Sequence, residues 1–353
     1  MLVSGQNLKN STVNAKFSPG DITIVILSRG RELQLTRAIQ FWRQTKFKIV
    51  IIHNTTIPLN LNLTETNVKY IVSQTDYAKR SRLAATSIST KYAILCADDE
   101  LFLPSGLISM GQFLEENPQF LSVGSGTVGV ASSNSTLTLS RTYQNMIGYR
   151  NIEGTVMDRL TFHTISQIQY RTGSMYRLMR LEVMQKMLML FSQLSHMSTP
   201  YIFEVTAEIV VNGLGKTIYL DDIYWVRNWV NKEVAHTSWD RRVYFYIWWE
   251  DDRFELERTE WCALLQRTLG QNETALSLEE ILFDIYKKRK LLEIRELRKS
   301  RLIRNHIPVK IKNLARQVMK GHNQKKTIED FISEMAVFRP ARGAELEKAI
   351  SYF

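Results

Sequence analysis

The chain has 353 residues, 44% of them hydrophobic and 23% charged, and a formal net charge of +11. That balance excludes a disordered chain, because enough apolar surface is present to offset chain entropy, and two cysteines, Cys96 and Cys262, exclude a disulfide scaffold. No apolar run approaches the roughly 20 residues of a bilayer-spanning helix, and residues 1–17 lack the apolar segment of a secretory signal, so a cytoplasmic protein is expected.

The first element is Asp21-Ile-Thr-Ile-Val-Ile-Leu27, a continuous apolar run of the kind a strand covered on both faces needs. Leu33, Leu35, Ala38, Ile39 and Trp42 then recur at helical spacing, and Lys48 to Ile52 reads as a second buried strand. Val68 to Val72 predicts a third strand, Arg80 to Ser89 a helix, and Tyr92 to Cys96 a fourth strand running into Asp98-Asp99-Glu100. Strands alternating with helices predict an α/β fold with a mostly parallel central sheet. Ligands of such sheets bind beyond the carboxyl ends of the strands, which gathers Ser28 to Glu32, His53 to Thr56 and Asp98 to Glu100 in one crevice.

Pro104 opens a helix over 105–115, Phe120 to Val123 reads as a strand, and the Ser-, Thr- and Asn-rich stretch 131–145 predicts a loop or an edge hairpin. Next come a strand pair or bend over 167–176 around Gly173, a Met- and Leu-rich helix over 180–192, a helix over 203–211 ending at Gly213 or Gly215, and a strand over 216–220. The aromatic run Tyr244 to Trp249 is expected in the core rather than as a sugar-stacking platform. From Ser277 onward an appended, helical extension is expected, broken by Pro308 and by Gly321 to Asn323 into three helices.

Two adjacent carboxylates at the end of a buried strand repel one another unless a cation is near. A hard divalent ion held by one or two carboxylates plus diphosphate oxygens relieves that repulsion; the alternative for Asp98-Asp99 is a solvated acidic turn leading into a helix.

In the order of these motifs the chain resembles the family 2-type glycosyltransferases of the GT-A (nucleotide-diphospho-sugar transferase) fold. Those proteins open with an apolar strand leading to a Pro-Thr-x-Asn-Arg turn, and here the turn reads Leu27-Ser28-Arg29-Gly30-Arg31, with Ser28 matching the hydroxyl residue and Arg31 the arginine. Proline and asparagine are absent. The second turn, Ile52-His53-Asn54-Thr55, stands where relatives carry Asp-Asp or Asp-Asn; Asn54 is left to reach a nucleobase edge, and His53 is a departure that leaves the base open. Thr90 to Glu100 is the closest local match, and the resemblance implies Asp98 near the ribose or the metal's water shell and Asp99 on a Mn2+ or Mg2+ ion. It covers residues 20–240, after an N-terminal extension (1–19) and before an aromatic-rich connecting region (241–275) and a basic helical C-terminal extension (276–353).

The resemblance further implies a nucleotide-sugar site of Ser28, Arg29, Arg31, Asn54, Arg82 and Asp98. Arg80 and Arg82 both offer a guanidinium that matches phosphate oxygens in a fork, or else a solvated helix face. Relatives carry a catalytic base about eleven residues before the glycine that ends a helix, and Glu204 stands eleven before Gly215, with Glu208 as its rival. His236 lies where a histidine sometimes completes the metal shell. Asp221-Asp222 is expected in a structural turn. The implied reaction is an inverting transfer of a sugar from a nucleotide diphosphate to a hydroxyl of a glycan or lipid-linked acceptor, as in polysaccharide biosynthesis.

Between Lys287 and Lys326 stand 15 Lys or Arg against two acids, Glu293 and Glu296, so this segment carries the basic character of the chain. It suits a solvated helical face, docking of a peripheral protein on the inner, anionic face of a membrane, or nucleic acid, and sparse aromatics disfavour the last. Two other functions remain open. A sugar nucleotidyltransferase needs a glycine-rich first turn, where Ser28 to Glu32 offers one glycine, and a non-catalytic membrane- or RNA-binding protein would act through the basic segment.

Overall fold

Three apolar runs set the architecture. β1 (Ile22–Arg29) pairs in parallel with β2 (Lys48–Asn54) on one side, and β2 in turn pairs in parallel with β3 (Val68–Val72). Ile22, Ile24 and Ile26 point to one face with Ile49 and Ile51, while Val25 points to the other with Val50 and Ile52. A strand has a side-chain period of two, so a strand buried on both faces reads as unbroken hydrophobicity. Each of these fully buried side chains contributes about 1.5–3 kcal/mol.

The computed structural model describes residues 17–59, 67–133, 136–142, 146–166, 173–228, 243–270, 275–304, 326–327 and 340–352. Helix α1 (Glu32–Trp42) follows β1, and α2 (Tyr77–Ser87) follows β3. Arg80 to Ser89 was the expected span of α2; the helix starts three residues earlier because Asp76 caps it, accepting from the Lys79 N–H at 2.8 Å. β4 (Tyr92–Cys96) lies parallel to β1, so the strand order at this end is β4-β1-β2-β3.

Beyond β4 the sheet becomes mixed. β5 (Leu101–Phe102) and α3 (Pro104–Glu116) precede the 14-residue strand β6 (Phe120–Ser133), much longer than the expected 120–123. β6 forms an antiparallel hairpin with β7 (Thr136–Thr142), the edge hairpin rather than the loop. β8 (Arg150–Asn151) and α4 (Val156–Ser166) follow; β9 (Leu178–Arg180) joins β4 to β6, antiparallel to both, and leads into α5 (Leu181–Phe191). Helix α6 (Tyr201–Leu214) feeds β10 (Lys216–Asn228), which runs parallel to β6. Asp221 and Asp222 sit at a register shift inside β10, not in a turn: Ser125 Oγ donates to the Asp222 carbonyl at 2.5 Å and holds the bulge.

Two layers cover the sheet. One packs α1 and α3 against it, the other α2, α5 and α6, joined by α7 (Phe245–Glu250), α8 (Glu255–Leu269) and α9 (Ala275–Arg304). Phe245, Trp248 and Trp261 are fully buried in the second layer, the core role expected for the aromatic run. The helices expected as an appendage are part of these layers. Leu278, Ile281, Leu282 and Ile285 of α9 recur at helical spacing and are buried in the second, while Leu346, Ala349 and Ile350 of α10 (Pro340–Ile350) are buried in the first. A two-residue strand, β11 (Lys326–Thr327), adds to β7 at the far edge. No described helix is long and apolar enough to cross a membrane. Most of the basic segment, 305–325, lies outside the described residues, as does His236.

Candidate functional site

The carboxyl ends of β1, β2 and β4 finish level with one another: Ser28 is in register with His53, Arg29 with Asn54, and Ile26 with Cys96 two residues before Asp98. Gly30, at φ 60°, lets the chain leave β1 in a left-handed turn and bring Arg31 back over the strand ends before α1 begins.

Asp98 is 5% exposed and both of its oxygens are engaged. Oδ2 accepts from Ser28 Oγ at 2.6 Å and Oδ1 from Arg31 Nη1 at 2.7 Å; the same Nη1 lies 3.1 Å from Asp99 Oδ1. Burial pushes the Asp98 carboxyl above its ordinary range, while Arg31 and Ser28 pull it back. Burial alone would lower the Arg31 pKa, but Asp98 and Asp99 more than offset this and raise it. The sequence argument left the repulsion of this pair to a divalent ion, and here one guanidinium bridges both carboxylates. Glu100 turns away, accepting from Trp225 Nε1 at 2.7 Å and Arg227 Nε at 2.9 Å, and so ties the acidic loop to β10. Burial raises its pKa and Arg227 opposes the rise.

Among the described residues no group of three or more His, Cys, Asp or Glu is placed to hold a metal. The donor set therefore fits a hard divalent ion in one way, as an ion that Asp99 and Asp98 share with a substrate's phosphates, since Mg2+ is commonly held by one or two carboxylates plus phosphate and water.

Arg80 and Arg82 are separated by the structure. Two residues on a helix are about 200° apart, and Arg80 points inward, buried, donating through Nη1 to the Ser28 carbonyl at 2.7 Å, whereas Arg82 is exposed on the other side of α2. Arg80 thus props the first turn and Arg82 stands outside the cluster. Arg29 is exposed at the end of β1. Asn54 is half-buried and its Nδ2 donates to the Thr75 carbonyl at 2.7 Å, joining β2 to the loop ahead of α2. His53 is wholly buried, with Nδ1 2.8 Å from the Tyr70 hydroxyl; burial lowers its pKa and keeps the ring neutral at pH 7.

Glu204 and Glu208 lie one turn apart on α6 with different surroundings. Glu204 is half-buried, and its charge contributes to raising the phenol pKa of Tyr77, Tyr176 and Tyr201. Tyr77 stands on α2 under the Arg80 guanidinium and packs edge-on against Phe203 at 4.9 Å, which places Glu204 on the α2 side of the crevice. Glu208 is 2% exposed. Its carboxylate accepts from the Ser174 N–H and hydroxyl, each at 2.6 Å, and lies 3.0 Å from His163 Nε2. Burial would push the Glu208 carboxyl up, yet the hydrogen bonds from His163 and Ser174 and the Arg177 guanidinium hold it at about 2. All of these partners enclose the carboxylate in the interior of the second layer.

A small, open depression lies beside the acidic pair, lined by Gln34 and Arg37 of α1, Asp98, Asp99, Asn228 and Tyr352. Sequence reasoning missed Gln34 and Arg37, although both lie one to two turns beyond the Arg31 turn, and had no local signal for Tyr352.

No protein-family model matches the chain, and no curated protein matches it. Among solved structures it is similar to S. aureus TarS, at 14% identity over 72% of this chain and 43% of that one, with a TM-score of 0.44. It is also similar to S. aureus TarS 1–349 in complex with UDP-GlcNAc, at 13% identity over 77% of this chain and 83% of that one, TM-score 0.47. The chain thus spans less than half the length of the first of these proteins.

Proposed function

We propose that the protein is a glycosyltransferase, moving a sugar from a nucleotide-diphosphate donor to a hydroxyl of a glycan or lipid-linked acceptor with inversion. The observation that carries this reading is the convergence of Ser28, Arg31, Asp98 and Asp99 at level strand ends. A parallel sheet binds ligands at that end, and an arginine beside paired carboxylates can pair with phosphate oxygens and help seat a diphosphate with its counter-ion.

A divalent Mn2+ or Mg2+ ion, held at Asp99 and Asp98 together with the donor, supplies neutralisation of the charge that develops on the leaving diphosphate. The chain's own groups do the rest. Ser28 and Arg31 fix the Asp98 carboxylate, so that the pair is oriented before substrate arrives. Arg80 holds the backbone of the first turn from behind. Glu204, near the start of α6, takes the proton of the acceptor hydroxyl, a role that needs an ionised carboxylate within hydrogen-bond reach of that proton. The basic segment 287–326 is assigned to contact with an anionic membrane surface on which a lipid-linked acceptor is held.

The test has two stages. Thermal shifts with UDP-, GDP-, CMP- and TDP-sugars plus Mn2+ identify the donor, because a bound donor stabilises the native state by mass action. Turnover of that donor in wild type and Asp99→Ala, with and without Mn2+, then checks the metal: loss of activity in the variant at every Mn2+ concentration is expected, and unchanged activity rules the assignment out.

A further inference from the structure

A tyrosine taken out of water finds a partner for its hydroxyl, and several in this fold do so: Tyr70 meets His53, Tyr92 meets Glu115, Tyr149 meets His163 and Tyr224 donates to the Tyr176 carbonyl. Tyr77 and Tyr176 differ. The side-chain hydrogen bonds they receive end on their backbone carbonyls, from Ser81 Oγ at 2.8 Å and from the Tyr224 hydroxyl at 2.6 Å. Among the described residues neither phenol hydroxyl has a hydrogen-bond partner. Both side chains are half-buried, so solvent serves the hydroxyls in the free protein and a ligand can replace it. Burial pushes both phenol pKa values up, that of Tyr77 to about 12, so each stays protonated at neutral pH and can donate as well as accept.

The two hydroxyls come to the crevice from different elements. Tyr77 is the first residue of α2, and its ring packs edge-on at 4.9 Å against Phe203 in the first turn of α6, next to Glu204. Arg80, which holds the Ser28 carbonyl, lies over the same ring at 5.7 Å. Tyr176 precedes β9. That strand is antiparallel to β4, with Met179 level with Ala93, so the residues ahead of it lead back toward the end of β4 and the acidic loop. The Tyr176 ring lies 4.5 Å from that of Trp225, whose Nε1 donates to Glu100. Glu100 on one side, and Tyr77 and Glu204 on the other, all act on the Tyr176 phenol. It therefore stands between the acidic loop and the start of α6.

Resting on the transferase reading above, we propose that Tyr77 and Tyr176 are donor-binding residues whose hydroxyls hold hydroxyl groups of the transferred sugar. In a direct displacement that ring lies between the diphosphate it leaves, at Asp98 and Asp99, and the base that activates the acceptor, Glu204. The two phenols stand along this span. A sugar hydroxyl both donates and accepts, as a phenol does, whereas a diphosphate oxygen only accepts. The pair thus matches the neutral, polyhydroxylated part of the donor.

Calorimetry on the full chain with Mg2+ tests this, using UDP with UDP-glucose and UDP-N-acetylglucosamine, GDP with GDP-mannose, and TDP with TDP-glucose, in wild type, Tyr77→Phe and Tyr176→Phe. Each variant keeps its ring and loses no internal hydrogen bond, so it is expected to melt as wild type does. Each is expected to bind the preferred sugar nucleotide about fivefold more weakly, as loss of one hydrogen bond predicts, with affinity for the matching bare diphosphate unchanged. Unchanged sugar-nucleotide affinity in either variant overturns the assignment of that tyrosine. An equal loss for the bare diphosphate overturns the inference as a whole, and both results leave the transferase reading intact. A wild type that binds none of these nucleotides or sugar nucleotides overturns both.

Discussion

Replacing Glu208 tests whether α6 is held by a buried ionised acid. The carboxylate serves two N–H groups and a hydroxyl at the Gly173-Ser174 turn, and it lies 3.0 Å from His163 Nε2. Glu208→Ala leaves those donors enclosed without an acceptor, and removing one partner of such a network costs about 3–5 kcal/mol. Glu208→Gln keeps one acceptor oxygen for the two N–H groups, so its cost is smaller, about 1–3 kcal/mol. The pH dependence gives a second magnitude. The folded-state pKa is held at about 2 against an ordinary 4.3 or so, which at 1.36 kcal/mol per unit amounts to about 3 kcal/mol. A depressed carboxyl pKa contributes stability that is fully present above the unfolded value and is lost as pH falls toward the folded one. The stability gap between wild type and Glu208→Gln should therefore be constant from pH 7 to about 5 and close progressively below that, because every other carboxylate titrates in both proteins. Urea unfolding followed by circular dichroism at pH 7, 5, 4 and 3 measures it. A gap that stays flat down to pH 3, or a Glu208→Ala variant as stable as wild type at pH 7, would refute the reasoning.

Two further substitutions probe the site and its frame. Arg31→Ala removes the guanidinium shared by Asp98 and Asp99; with Arg31 still 21% exposed the loss should be about 1–3 kcal/mol, below that of a fully enclosed pair. With its counter-charge gone, the pair should also respond more strongly to free Mn2+, so the melting shift on adding metal without nucleotide is expected to be larger in the variant; equal shifts would contradict the bridging role. Gly126→Ala puts a Cβ 2.5 Å from the Asp222 carbonyl oxygen in the β10 bulge, where the obstacle is backbone and cannot rotate away. Overpacking of this kind costs about 1–3 kcal/mol, and chemical denaturation should show that loss.

The parts of the fold that were legible are those whose burial is local in sequence. β1, β2 and β4 are covered on both faces, so each is an unbroken apolar run, and α1 and α5 each turn an apolar stripe inward. β6 was legible only to Val123, because its remainder, Gly124-Ser-Gly-Thr-Val-Gly-Val130, is held by seven residue pairs with β10 and by the β7 hairpin rather than by its own pattern. Gly124 itself leaves room for the Tyr219 ring, which a Cβ would meet at 2.7 Å. The placement of α10 was not legible at all. Its glutamate supports α3 from 240 residues away, and nothing near Glu345 or Ser105 marks them as partners.

The candidate site divides in the same way, and the division bears on its chemistry. Adjacency left Asp98 and Asp99 as either a metal site or a solvated acidic turn, the resemblance pointed to the former, and strand order brought Ser28 and Asn54 to their level. What adjacency could not supply was the source of the neutralising charge. Two carboxylates at a strand end require a cation, and in the free protein Arg31, placed by the left-handed turn at Gly30, meets that requirement. A metal is then not needed to hold the folded loop together, and its place in the proposed reaction is with the substrate. Under that proposal Asp99 and Asp98 would hold an ion that neutralises diphosphate charge, and the Arg31 guanidinium would stay beside anionic oxygens like those it already binds. The acidic pair is balanced by arginine in the free protein, and under the proposed reaction it would be balanced by arginine with a shared cation once the donor binds.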